Sequence, residues 1–305
     1  MGLTLVKRFL SYIEIKTKIT SVFAFLMTLS YLFSVGQRVD FVKTLVFFLS
    51  MFLFDLTTTA INNYEDTKTN HQVLQFERRI AFIIIIVLFL AAAALGLYLA
   101  YITDVIVLLL GGLCFLCGVF YSFGPVSISR LPLGEVFSGF FYGFVIPFIL
   151  LYINMPPSTY ISYSFSFKTI AFSFDVFQVL TVILLSVAPF CTTANIMLAN
   201  NTCDLERDIE VKRYTLPYFI GRKRATWLFA GLYYLVYLSI ILMVVLKILH
   251  PVCLLILLTL IPVQKNINIF LKEQDKATTF ITAIKNYIII MAADCLLIAA
   301  SGFFR

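Results

Sequence analysis

The chain is 305 residues long, 61% apolar and only 13% charged. A water-soluble domain of that size cannot hide so much apolar surface, so lipid has to be part of its solvent. Its net charge of +7 is scattered through short loops beside acidic residues rather than along a continuous stripe, which argues against nucleic acid as a partner.

Residues 1–19 hold Lys7, Arg8, Glu14, Lys16 and Lys18, spread through the segment. A compact basic head and a small-residue cleavage site are both missing, so the segment reads as an amphipathic helix on the cytoplasmic face, not as a signal peptide. Apolar runs then recur near 20–36, 41–61, 80–101, 104–121, 133–153, 176–199, 225–247, 250–263 and 283–302. A membrane-crossing helix needs about 20 such residues. The eighth run is short and reads as tilted or partly re-entrant. No long polar insertion separates the runs. The expected fold is all-α: one polytopic membrane domain over 1–305, with about nine transmembrane helices in one bundle.

With the N-terminus cytoplasmic, the inner segments hold Lys7, Arg8, Lys16, Lys18, Lys68, Arg78, Arg79, Arg130, Arg207, Lys212, Arg213, Arg222, Lys223, Arg224, Lys265, Lys272, Lys276 and Lys285. The outer side keeps Arg38, Lys43, Lys168, Lys247 and Arg305. This 18-to-5 division satisfies the positive-inside rule, and nine spans then leave the C-terminus outside. Cys114 and Cys117 form a CxxC, but within an apolar run, where two small polarisable residues packed between helices are the simpler account. The other four cysteines lack metal spacing, and His71 and His250 stand alone.

Two segments break the apolar monotony. Asn62-Asn63-Tyr64-Glu65-Asp66-Thr67-Lys68-Thr69-Asn70 closes the second run, and Asn200-Asn201-Thr202-Cys203-Asp204-Leu205-Glu206-Arg207-Asp208 closes the sixth. Both read Asn-Asn-x-x-Asp-x-x-x-(Asn or Asp), 138 residues apart, a weak internal repeat. Residues i, i+4 and i+8 share a helix face, so Asn62, Asp66 and Asn70 align, as do Asn200, Asp204 and Asp208. Oxygen rows at the ends of membrane helices are costly unless compensated. Facing rows would suit magnesium, which takes a few carboxylates and completes its shell with water and phosphate. Lys68, Lys212 and Arg213 stand among the ligands, and Arg130 follows the fourth run. Carboxylates for a metal and Arg or Lys for an anion make a combination that holds a diphosphate.

These motifs resemble the two aspartate-rich motifs of the UbiA superfamily of intramembrane prenyltransferases. Within it the 1,4-dihydroxy-2-naphthoate polyprenyltransferases of menaquinone synthesis are most similar. The likeness runs through Ile15–Phe23, Thr58–Tyr64, the Tyr121…Gly124-Pro125 turn with Leu133-Gly134-Glu135, and Asn200…Leu216. It implies nine spans, a cytoplasmic N-terminus in the cell membrane, Mg2+, a polyprenyl diphosphate donor and an aromatic acceptor. It also implies that Asp66, Asp204 and Asp208 are catalytic and that, with Asn62, they ligate metal. Asn62, Lys68, Tyr121, Arg130, Asn200, Asn201, Lys212 and Arg213 would then line the substrate site. The implied reaction is electrophilic prenylation in a water-poor cavity, with aromatic faces such as Tyr121 or Tyr142 beside the allylic cation, and loss of carbon dioxide from the acceptor. No general base is identifiable.

This chain departs from the family pattern in having Asn70 where many members have an acid, and Lys212-Arg213 where many have Gly-Lys. On a continuing helix Lys212 extends the Asn200–Asp208 face, one turn beyond, and is the expected diphosphate cation. The family's glycine argues instead for a helix end there and for Arg213. Prenylation of 4-hydroxybenzoate or another aromatic acceptor is the alternative within this class. A transporter is the rival outside it, although the charges gather at one membrane face and not at the midplane.

Overall fold

The computed structural model describes residues 2–68, 73–123 and 128–304. Among these, nine helices are long and apolar enough to cross a membrane: Ile15–Ser34, Phe41–Asp66, Arg78–Tyr101, Val105–Ser122, Gly134–Asn154, Val176–Cys203, Arg222–Val245, Pro251–Lys272 and Ile281–Phe304. Hydrocarbon offers backbone groups no hydrogen bonds, so each apolar run closes its own as a helix. The order of spans agrees with the sequence reading.

The helices are α1 (Gly2–Tyr12), α2 (Ile19–Ser34), α3 (Phe41–Asp66), α4 (Arg78–Tyr101), α5 (Val105–Ser122), α6 (Gly134–Phe140), α7 (Ile146–Asn154), α8 (Val176–Cys203), α9 (Leu205–Glu210), α10 (Leu216–Ile220), α11 (Arg222–Val245), α12 (Leu260–Lys272) and α13 (Ile281–Ser301). A π-turn, Phe141–Val145, joins α6 to α7. The chain divides into two compact units. The first holds Met1–Val22, Phe41–Gly134 and Asp204–Ile220; the second holds Phe23–Asp40, Glu135–Cys203 and Gly221–Arg305.

The first unit is organised around α3. Tyr12, Ile13, Leu56, Ala60, Phe76 and Ala81 form its core, and the Tyr12 hydroxyl donates to the Ala60 carbonyl at 3.0 Å. Deeper along α3, Asp55 is buried with Lys18. The Lys18 ammonium lies 2.7 Å from Asp55 Oδ1 and donates to the Asp55 carbonyl at 3.0 Å, while Ser21 donates to Asp55 Oδ2 at 2.6 Å. This pair rivets the entry of the first span to the second. Residues 1–19 are not one helix running into that span: α1 ends at Tyr12, Glu14 turns left-handed with φ 46°, and a 3-10 turn, Ile15–Lys18, begins the span.

In the second unit α8 is the central helix. Gly143 in the π-turn faces the backbone of Phe190, where an added Cβ would lie 2.2 Å from the Phe190 nitrogen, so only glycine permits the approach. Asn195 donates to the Phe229 carbonyl of α11 at 3.0 Å. The eighth span is longer than the sequence suggests, running from a 3-10 stretch, Pro251–Thr259, through α12. Its second half was hidden by Gln264, Lys265, Asn266 and Asn268. Asn266 is accommodated by donating to Asn286 of α13 at 2.7 Å.

The fold is mostly helical, but a two-stranded antiparallel hairpin, β1 (Ile161–Phe165) and β2 (Ile170–Phe174), interrupts the expected all-α pattern between α7 and α8. Alternation of serine with apolar residues favours strand there.

Removing the Asp55 carboxylate strands the Lys18 ammonium in the interior. Asp55→Ala should therefore destabilise the protein by about 3–5 kcal/mol, and Lys18→Met with Asp55→Leu should recover most of it. Thermal unfolding in detergent measures both. An unshifted melt for the single variant would mean that the buried pair contributes nothing.

Candidate active site

The site grows from the C-terminal turn of α3. Asn62 and Asp66 are four residues apart, and the Asn62 amide donates to Asp66 Oδ2 at 3.2 Å. Ser122, the last residue of α5, donates to Asn62 Oδ1 at 2.9 Å and fixes the way the carboxamide faces. Adjacent Asn63 turns away and donates to the Tyr12 carbonyl at 2.8 Å, tying α1 to α3. Tyr121, half-buried, precedes Ser122 on α5. Asn70, the third member of the expected row, and Gly124-Pro125 lie outside the described residues.

The second motif does not form one continuous helical face. α8 ends at Cys203, Asp204 interrupts it with φ −93° and ψ 10°, and α9 begins at Leu205. Asn200 and Asn201 consequently belong to the second unit, while Asp204 and Asp208 belong to the first. Asp208 still donates its backbone N–H to the Asp204 carbonyl at 2.8 Å, so the two acids keep helical spacing.

Nor does the helix continue to Lys212. α9 closes as Lys212 N–H bonds the Ile209 carbonyl at 3.0 Å and Arg213 N–H bonds the Asp208 carbonyl at 2.8 Å. Those two bonds, with Lys212 left-handed at φ 56°, make a Schellman stop. Lys212 occupies the position that glycine favours, and its exposed side chain does not extend the row. The continuous helix on which the expectation for Lys212 rested is therefore not formed.

Arg213 is the residue delivered inward. Its Nε donates to the Ser129 carbonyl at 3.0 Å, its Nη1 lies 4.0 Å from Asp208 Oδ1, and Tyr214 N–H bonds the Arg130 carbonyl at 3.2 Å. Asp208 is buried, at 6% exposure. Arg213, and more weakly Arg130, bring positive charge to bear on the Asp66 carboxylate. Asp66 and Asp208, one from each motif, therefore share the field of Arg213 within the first unit. The Lys68 ammonium is turned to its own helix, bonding Glu65 at 2.7 and 2.9 Å and lying over the Tyr64 ring.

In the second unit Asn201 is turned towards α6, donating to Glu135 Oε1 at 2.8 Å, both residues being buried. Asn200 Oδ1 accepts from Lys276, whose ammonium also sits 4.8 Å from the centre of the Phe280 ring. Lys276 lies in a loop built on Asp275, which caps the N–H groups of Ala277 and Thr278. The Thr278 hydroxyl and N–H hold the Asp275 carboxyl below its ordinary range. Sequence reasoning missed Ser122, Ser129 and Lys276. Ser122 was legible as the polar end of an apolar run; Ser129 acts through its backbone and leaves no sequence signal.

Among the described residues no three His, Cys, Asp or Glu side chains converge into a closed metal cage. The donors are hard oxygens flanked by guanidinium, an arrangement that would leave most of a cation's shell to water and a bound anion.

Residues 21–284 match the model of a family described as the UbiA prenyltransferase family. Among solved structures, one of a digeranylgeranylglyceryl phosphate synthase is similar with a TM-score of 0.65 at 17% identity, over 97% of this chain and 99% of that one. A UbiA homologue from Archaeoglobus fulgidus bound to GPP and Mg2+ is similar with a TM-score of 0.58 at 17% identity, over 97% and 98%. The apo form of a homologue from Aeropyrum pernix K1 gives 0.64 at 15%, over 94% and 98%. At such identities the likeness is one of fold. A comparison with curated protein sequences gives no match.

A left-handed conformation costs a residue with a Cβ about 1 kcal/mol that glycine is spared. Lys212→Gly should therefore raise stability by about that amount, and Lys212→Val should lower it. Equal melting temperatures for all three proteins would argue against a left-handed turn at this position.

Proposed function

Because the chain belongs to the UbiA prenyltransferase family, we propose that it transfers a polyprenyl group from polyprenyl diphosphate to 1,4-dihydroxy-2-naphthoate, releasing diphosphate and carbon dioxide and forming demethylmenaquinol, the hydroquinone from which demethylmenaquinone is obtained by oxidation. The observation that carries the reading is the gathering of Asp66 and Asp208 with Arg213 and Arg130 at the ends of apolar helices. The choice of naphthoate rests on the sequence stretches resembling that branch.

The donor set fits magnesium. Asp66 with Asn62, and Asp204 with Asp208, offer hard oxygens, and Asn62 Oδ1 keeps a second lone pair beyond the one holding Ser122. Bound there, the ion would neutralise the diphosphate leaving group. Arg213 and Arg130 supply charge-assisted hydrogen bonds to the diphosphate oxygens, which strengthen as the carbon–oxygen bond breaks and its electron pair leaves with the phosphate. Tyr121, beside Ser122 at the end of α5, offers an aromatic face to the allylic cation. Apolar helices keep water from quenching it. The electron-rich ring carbon that bears the carboxylate bonds to C1 of the prenyl chain, and loss of carbon dioxide returns the ring to aromaticity. Lys68, paired to Glu65, and Lys212, exposed, are peripheral to this chemistry in the proposed arrangement.

The enzyme is further proposed to sit in the cell membrane with its N-terminus and carboxylates cytoplasmic, which the 18-to-5 division of basic residues supports.

Membranes assayed with labelled prenyl diphosphate against naphthoate, 4-hydroxybenzoate and a lipid alcohol should prenylate the first, with added magnesium and not with chelator. Asp66→Ala, Asp208→Ala and Arg213→Ala should each lose activity by about a hundredfold or more while still inserting. Lys212→Ala should stay near wild type. Preference for another acceptor would overturn the naphthoate assignment, and full activity of Arg213→Ala would remove its role.

Topology is tested in a background without the native cysteines. A cysteine at Thr67 or Arg222 should react with impermeant thiol reagents only from the cytoplasm, and one at Ser158 only from outside. The reverse pattern would refute the orientation.

A further inference from the structure

In the second unit the outer face of the eighth span carries a groove of about 700 Å³. Leu257 and Ile261 line one end of it, and Gln264, Lys265, Asn268 and Lys272 line the other. These residues recur every three or four positions, so they occupy one side of the span, opposite buried Val263, Ile267 and Phe270. Its polar part is ordered by the protein itself. The Tyr234 hydroxyl donates to Gln264 Oε1 at 2.8 Å, and Gln264 Nε2 donates to Asn268 Oδ1 at 2.9 Å.

The two lysines are the anomaly. Lys265 and Lys272 are seven residues, roughly 10 Å of helix rise, apart on the polar end of the eighth span. Both lysines are exposed, and neither forms a salt bridge with a described carboxylate. No acidic residue lines the groove. Two ammonium groups without a carboxylate between them are complementary in charge to the phosphate of an anionic lipid. The groove is thus apolar towards Leu257, hydrogen-bonding in the middle and doubly cationic towards the membrane surface, in the order of an acyl chain, an ester region and a phosphate.

We propose that this face of the eighth span is a binding site for an anionic phospholipid, its phosphate between Lys265 and Lys272 and one acyl chain along Ile261 and Leu257. Snorkelling lysines alone would draw anionic lipid only diffusely, without headgroup or residue selectivity. The inference is independent of the prenyl-transfer reading, since none of these residues belongs to the carboxylate site.

The test uses the full chain in detergent, titrated with phosphatidylglycerol or with phosphatidylcholine of the same acyl chains. Thermal shift and lipid retention in native mass spectrometry are both read. Phosphatidylglycerol should raise the melting temperature and remain bound at one equivalent, and phosphatidylcholine should do neither. Lys265→Gln with Lys272→Gln should weaken that retention roughly thirtyfold, and the double arginine variant should keep it. Equal retention of both lipids, or an unchanged phosphatidylglycerol response in the glutamine variant, would overturn the site. A matching shift from inorganic phosphate alone would make it a free-anion site. Loss of geranyl diphosphate binding in the glutamine variant, with the lipid response intact, would assign the groove to the prenyl donor instead.

Discussion

A guanidinium among carboxylates at the edge of hydrocarbon has to be carried there by the backbone, and here the carrier is the left-handed residue Lys212. The short helix α9 stops because Lys212 and Arg213 return their N–H groups to Ile209 and Asp208. That reversal turns Arg213 onto the Ser129 carbonyl and to within 4.0 Å of Asp208. Without a cation nearby, acids in this setting face desolvation with nothing to offset it. Asp66 and Asp208, one from each motif, thus share a cation whose placement depends on one turn, and the turn is made by a residue that does not favour it.

The paired asparagines share a division of labour. Neighbours on a helix point about 100° apart, so two adjacent carboxamides cannot serve the same partner. In the first motif Asn62 addresses Asp66 while Asn63 holds Tyr12. In the second, Asn201 holds Glu135 while Asn200 meets Lys276. One member of each pair fastens its helix to another element, and its neighbour faces polar chemistry at the helix end. Asn-Asn is then a structural joint combined with a polar head group.

Much of this was legible in the sequence, for reasons that differ by feature. The nine spans follow from apolar length, because lipid enforces helix wherever the chain is apolar enough. Asp66, Asp208 and the arginines stand out since charges are rare in such a chain. What escaped reading was decided by local competition. Lys68 has Glu65 one turn away and pairs with it. The break at Asp204 and the stop at Lys212 are backbone events, and helical periodicity extrapolates straight through them. The hairpin between α7 and α8 was written as alternating serine and apolar residues, but a search for long apolar runs passes over a period of two.

The π-turn before α7 has a consequence for how relatives of this chain align. A π-turn spends one residue more than an α-turn on the same rotation. A homologue that continues as plain α-helix from Phe140 to Ile146 would be one residue shorter there, and a gap placed elsewhere would rotate every later side chain of the span by about 100°. Gly143 marks the place, since it lies within the π-turn and a side chain there would run into the Phe190 backbone. Phe148 and its neighbours in α7 then keep their true counterparts, and a single-residue deletion in this span reads as a local smoothing of the helix and not as a loss of register.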